Sequence, residues 1–198
     1  MKKSIMIGLF SCLLIVLSAC DGGEETQVWS VSMDWPSYDS IDEMTERATD
    51  VVRVEVLSST ITRWAYEGSD FLRNIYTFYT IHVLEVFQGN LQVGDEIEVA
   101  QLGGKLDNVE MINRNRVPFE IGDELVMFLV FFPEKDYPAG ILNPWQGIYR
   151  LSEEVGYGEE IDPSIALIPL HDEGNYSTNF ELTVEDLIEI AKENDLLD

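Results

Sequence analysis

The longest β-branched and aromatic run in the chain extends from Ile75 to Phe87. Its alternate positions are Ile75, Thr77, Tyr79, Ile81 and Val83 on one face, and Tyr76, Phe78, Thr80, His82 and Leu84 on the other. Both sets are largely apolar, which predicts a strand buried on two sides or one curving through a barrel. Shorter strands are predicted around it. Val51–Leu57 continues weakly towards Trp64, and in Glu96–Gln101 the apolar Ile97 and Val99 alternate with acidic residues. Val109–Ile112 and Glu124–Phe132 follow, and Trp145–Leu151 is the last clear one. Gln88-Gly89-Asn90, Gly94-Asp95 and Gly103-Gly104 punctuate them as turns.

Helices are predicted only near the ends. Ser40 with Glu43 three residues on fits a capping box, and Ile41, Met44, Thr45 and Ala48 then fall at helical spacing, giving a short helix over 40–49. Thr183 caps a C-terminal helix with Val184, Leu187, Ile188 and Ala191 on one face. Many strands with terminal helices predict a mainly β domain over 37–198, closed or nearly closed. There is no internal repeat.

The start of the chain has another character. Lys2 and Lys3 precede an apolar stretch from Ile5 to Leu17, and Leu17-Ser18-Ala19-Cys20 follows. A positive n-region, an apolar h-region and a small-residue cleavage site make a secretory signal. The stretch is shorter than the roughly 20 residues a bilayer-spanning helix needs. Leu-Ser-Ala-Cys resembles the lipobox of bacterial lipoproteins. The resemblance implies that residues 1–19 are removed and that Cys20 becomes the acylated first residue, held on the membrane by its lipid. Residues 20–36, opening on Asp21-Gly22-Gly23-Glu24-Glu25-Thr26, read as a tether. Trp29 and Trp35 are unusual in a linker; they pack on the domain or rest at the membrane interface.

Cys12 and Cys20 are the only cysteines. One leaves with the signal and the other is consumed by lipid, so the exported domain has no disulfide, thiolate metal site or cysteine nucleophile. Its core alone must stabilise it. The chain carries 12 Lys+Arg against 37 Asp+Glu, a net charge of −25. That field repels phosphate backbones and excludes nucleic acid as a partner. It serves solubility, or it attracts cations.

Four segments carry a second resemblance: Ala48–Val56, Tyr76–Gly89, Gly94–Val99 and Phe119–Leu129. In order and turn glycines they resemble the netrin-like module of tissue inhibitors of metalloproteinases, and segments in bacterial lipoproteins of uncharacterised function. The resemblance implies an OB-like antiparallel barrel, closed or partly open. The inhibitors chelate zinc through a free N-terminal cysteine and are pinned by disulfides. This chain has neither, so only the fold carries over.

Candidate sites are few. His82 sits inside the long strand, where a packed histidine is the simpler reading. His171, Asp172 and Glu173 together offer a nitrogen and oxygens to a metal. No Gly-x-Ser-x-Gly elbow or phosphate loop is present. Two aromatic groups could form a recognition surface: Trp64, Tyr66 and Phe71 in the 63–72 loop, and Trp145 with Tyr149. Trp145 and Tyr149 could equally fill the interior. The reading is a monomeric, membrane-anchored extracytoplasmic domain that binds an unnamed protein or envelope ligand, with no cofactor and no catalysis. A metal-assisted hydrolase using His171, and a Ca²⁺-dependent envelope protein, are the alternatives.

Overall fold

The computed structural model describes residues 25–64, 74–132, 137–152, 162–170 and 182–193. Cys20, Tyr66, Phe71, His171, Asp172 and Glu173 lie outside them, as does the side chain of Trp64.

The centre is a pair of long antiparallel strands, β2 (Asp50–Trp64) and β3 (Asn74–Gln88), named here with their places in chain order. Strand β1 (Gln27–Val31) and helix α1 (Ile41–Arg47) precede them. Then come β4 (Glu96–Leu102), β5 (Gly104–Leu106), β6 (Val109–Asn113) and β7 (Glu124–Val130). The chain continues through β8 (Gly140–Ile141), β9 (Ile148–Leu151), β10 (Ala166–Pro169), β11 (Leu182–Thr183) and helix α2 (Val184–Glu193). Among the described residues the fold is mainly β with two helices, as the sequence predicts.

The larger sheet runs β11-β10-β9-β7-β2-β3-β4, with β8 also on β7, and every pairing in it is antiparallel. Register shifts in β2 at Val51/Val52, Arg53/Val54 and Val56/Ser58 mark bulges, which bend a strand and raise its twist. The ladders do not close this sheet into a barrel. What approaches closure is one bridge from β4 to Ala139: Ala139 N donates to Glu98 O at 2.8 Å, and Ala100 N donates to Ala139 O at 3.0 Å. Pro138, beside it, has no N–H to extend that contact. The smaller sheet is β1-β6-β5, with β1 parallel to β6. Part of the predicted tether is therefore a strand.

Strand β7 shows why the core has two sides. Leu125, Met127 and Leu129 join one cluster with Val52, Val54, Val56, Tyr79 and Ile81. Val126 and Phe128 point the other way, into a cluster that Met44 of α1 and Leu187 of α2 complete. A strand covered on both faces reads as a continuous apolar run. The 75–87 run is less symmetrical. Tyr79, Ile81 and Val83 are fully buried, while Tyr76, Phe78, Thr80, His82 and Leu84 are half-buried.

Local chemistry fixes the ends. Ser40 Oγ accepts from Glu43 N at 3.1 Å, closing the predicted cap of α1. Thr183 caps α2, and Thr183 N donates to Asp186 Oδ2 at 2.6 Å. Asp50 Oδ1 accepts from Asn90 N at 2.7 Å and Leu91 N at 3.0 Å, tying the β3–β4 turn to the start of β2. Gly89 lies at φ +109°, and a Cβ there would collide with the Asp50 carboxylate. Only glycine suits that position.

A candidate ligand recess beside Trp35

The segment between β1 and α1 does not hang free. Asn143 and Gln146, both buried, reach it from the tight turn ahead of β9. Asn143 Oδ1 accepts from Trp145 N at 2.9 Å, so the side chain shapes its own turn. Its Nδ2 donates to Pro36 O and to Gln146 Oε1, each at 2.9 Å. Gln146 then grips Tyr38 on both sides: Oε1 accepts from Tyr38 N at 3.0 Å and Nε2 donates to Tyr38 O at 2.9 Å. Further back, Met33 N donates to Asn115 Oδ1 at 3.2 Å. Residues 33–38 are thus held as a strap, because buried backbone groups need such partners.

The strap shelters a recess of about 270 Å³. Trp35, Pro36 and Tyr38 supply one part of its lining. Tyr76 and Leu102 of β3 and β4, and Leu142 before the turn, supply another. The surface is predominantly apolar and aromatic, the usual composition of a small-molecule site. Gln101 and Asn113 also line it, but their amides are engaged: Gln101 with both Val117 N (3.1 Å) and Val117 O (2.8 Å), Asn113 with Leu102 O (3.2 Å). Two donors differ. Arg116 donates through Nη2 to the Tyr79 hydroxyl at 2.9 Å, yet its Nε is buried with no partner in the protein. The indole Nε1 of Trp35 is in the same condition. Tyr38 has its hydroxyl pKa raised, chiefly by burial and also by the Glu43 charge, against the lowering effect of Arg47. It stays neutral at physiological pH.

A broader, shallower opening of about 530 Å³ lies along Thr60, Thr62, Phe78, Glu98 and Tyr137. None of its described lining residues carries an unpartnered buried donor. The recess beside Trp35 is the more built of the two.

Of the residues that the sequence singles out, Tyr149 is buried, and its ring meets Phe128 edge-on with centroids 6.1 Å apart. Burial also pushes its hydroxyl pKa well above the usual tyrosine range. Trp145 is half-buried and packs on the inner core cluster. Tyr149 thus sits in the interior, one of the two roles the sequence leaves open, and Trp145 lies at the edge of it. Trp64 ends β2 opposite Asn74. His82 lies in register with Glu55 and Glu96 on the neighbouring strands. Among the described residues no group of three or more His, Cys, Asp or Glu side chains is placed to hold a metal ion.

Sequence reasoning finds Trp35 as an oddity in a tether but misses Asn143 and Gln146, which hold the strap, and Arg116, which lines the recess. The available signal is Asn143-Pro144, an Asn-Pro turn followed two residues later by a second amide. Nothing local marks Arg116.

Comparisons with protein-family models, with curated proteins and with solved structures find no match for this chain.

Proposed function

We propose that the chain is a bacterial lipoprotein, anchored outside the cytoplasm by acylated Cys20, whose exported domain is a non-enzymatic binding module of OB-like architecture. Support for the anchor is the sequence from Lys2 to Cys20 and its short apolar stretch. Support for the OB-like reading is the order β7-β2-β3-β4, with Ala139 reaching back to β4 beside β8. No helix among the described residues is long and apolar enough to cross a membrane.

The observation that carries the binding role is the recess beside Trp35, apolar for most of its lining and edged by two unpartnered buried donors. A small molecule held there binds the folded chain alone and raises its thermal midpoint. A panel of diverse small organic fragments, read by thermal melts of the full chain, tests this. At ten times its dissociation constant a fragment adds about 1.4 kcal/mol, or roughly 3–5 °C for a domain of this size. Ala100 lines the recess, so Ala100→Phe fills it and abolishes those shifts. A panel without hits, or hits that survive Ala100→Phe, contradicts the assignment.

A further inference from the structure

We infer that the recess beside Trp35 takes a small apolar monocarboxylate, a single ring or short chain whose carboxylate is received by Arg116. The inference rests on the binding-module reading above and names its ligand class.

Unmet donors come first. Arg116 Nε and Trp35 Nε1 are both buried, both lack a partner in the protein, and both residues line the recess. Both nitrogens are closed to water in this structure, so an acceptor reaches them as the two side chains shift on ligand entry; buried donors are nearly always paired, and two on residues of one recess favour such an acceptor.

Charge selects the acceptor. The partner of Arg116 is the Tyr79 hydroxyl, and no ion pair among the described residues includes Arg116. No Asp or Glu is among the described lining residues, although the chain carries 37 of them. Arg116 is the one charged side chain among the described lining residues. A guanidinium edge matches a carboxylate better than any neutral acceptor.

Size and lining select the rest. At roughly 30 Å³ per water, a recess of about 270 Å³ holds about nine waters. One ring with a short side chain fits that space, whereas the acyl chains of a membrane lipid do not. The rings of Trp35, Tyr38 and Tyr76 offer faces and edges to an aromatic body.

The test is isothermal titration calorimetry on the full chain in phosphatidylcholine nanodiscs, with empty discs as the blank. The probes are 3-phenylpropionate, its neutral amide 3-phenylpropanamide, and the cation 3-phenylpropylamine. The acid is expected to bind one-to-one, with the amide weaker by roughly tenfold or more and the amine silent. Arg116→Gln is expected to erase the preference, leaving acid and amide within about twofold of each other. Trp35→Phe keeps an aromatic ring and loses only the indole N–H; it is expected to weaken the acid roughly three- to tenfold. Circular dichroism checks that each variant folds, and Trp35→Phe decides if Arg116→Gln does not. Equal binding of acid and amide, tighter binding of the amine, or an acid preference that survives Arg116→Gln overturns the carboxylate assignment while leaving the recess a binding site. Silence from all three probes overturns the inference, and the fragment panel then decides the binding-module reading separately.

Discussion

Gln146 and Tyr38, 108 residues apart in sequence, exchange two hydrogen bonds: Tyr38 N to Gln146 Oε1 at 3.0 Å and Gln146 Nε2 to Tyr38 O at 2.9 Å. This pair converts the chain ahead of α1 from a connector into one wall of the recess. Gln146→Ala strands a buried N–H and a buried C=O at once, at about 1–3 kcal/mol each. Denaturant unfolding should show a loss of about 2–4 kcal/mol, and hydrogen exchange at the Tyr38 amide should accelerate well beyond that at Val54.

Asp50 and Gly89 are coupled by the turn they build. Gly89→Ala meets both a left-handed backbone at φ +109° and the Asp50 carboxylate, and should cost about 2–4 kcal/mol. Asp50→Ala strands Asn90 N and Leu91 N and should cost about 2–3 kcal/mol. Because the second change removes part of what the new methyl strikes, leaving the Thr49 backbone oxygen, the double variant should lose less than the sum. Thermal or urea unfolding of the three variants measures that coupling.

Arg53 spans three strands, with Nε 3.3 Å from Glu85 Oε2 on β3 and Nη1 3.1 Å from Glu124 Oε2 on β7. The arginine is nearly buried, while both carboxylates are about a third exposed and screened by solvent. Removal of the arginine should therefore cost more than removal of either acid. Arg53→Ala should lose about 2–3 kcal/mol, and Glu85→Gln less than about 1 kcal/mol. Raising salt should shrink the Glu85 effect.

Tyr149 sets an alkaline limit. Its folded pKa is raised by burial, while the unfolded side chain titrates near 10. Below about pH 10 both states keep the proton and stability is unaffected. Above it the unfolded state ionises first, so stability falls as pH climbs towards the folded value. Ultraviolet absorbance at high pH should show one tyrosine ionising only with unfolding, and Tyr149→Phe should remove that component.

The proposed anchor makes location depend on Cys20. Cys20→Ser should release the chain from the membrane fraction and abolish incorporation of labelled acyl chains. Retention of both in the variant would sink the lipoprotein assignment.

The legible parts of the fold were those written in local patterns. The Ser40 cap, the Thr183 cap and the long strands follow from neighbouring residues, and β7 announces its two-sided burial through five successive buried residues from Leu125 to Leu129. The parallel strand β1 is hidden because Gln27–Val31 is only five residues long, almost wholly exposed, and draws its order from β6, some 80 residues away. The sequence leaves a closed and a partly open barrel unseparated for a related reason: the approach to closure depends on a single residue, Ala139, between Pro138 and Gly140, where no strand pattern exists. The recess was illegible for a stronger reason. Trp35, Arg116 and Leu142 come from three distant segments, and only tertiary contact gives their side chains a common meaning.

The most direct measurement is a crystal structure of the chain with 3-phenylpropionate. The ring is expected between Trp35 and Leu142, with the carboxylate within hydrogen-bond distance of the Arg116 guanidinium. Density for the ligand elsewhere on the surface, with the recess empty, would contradict it.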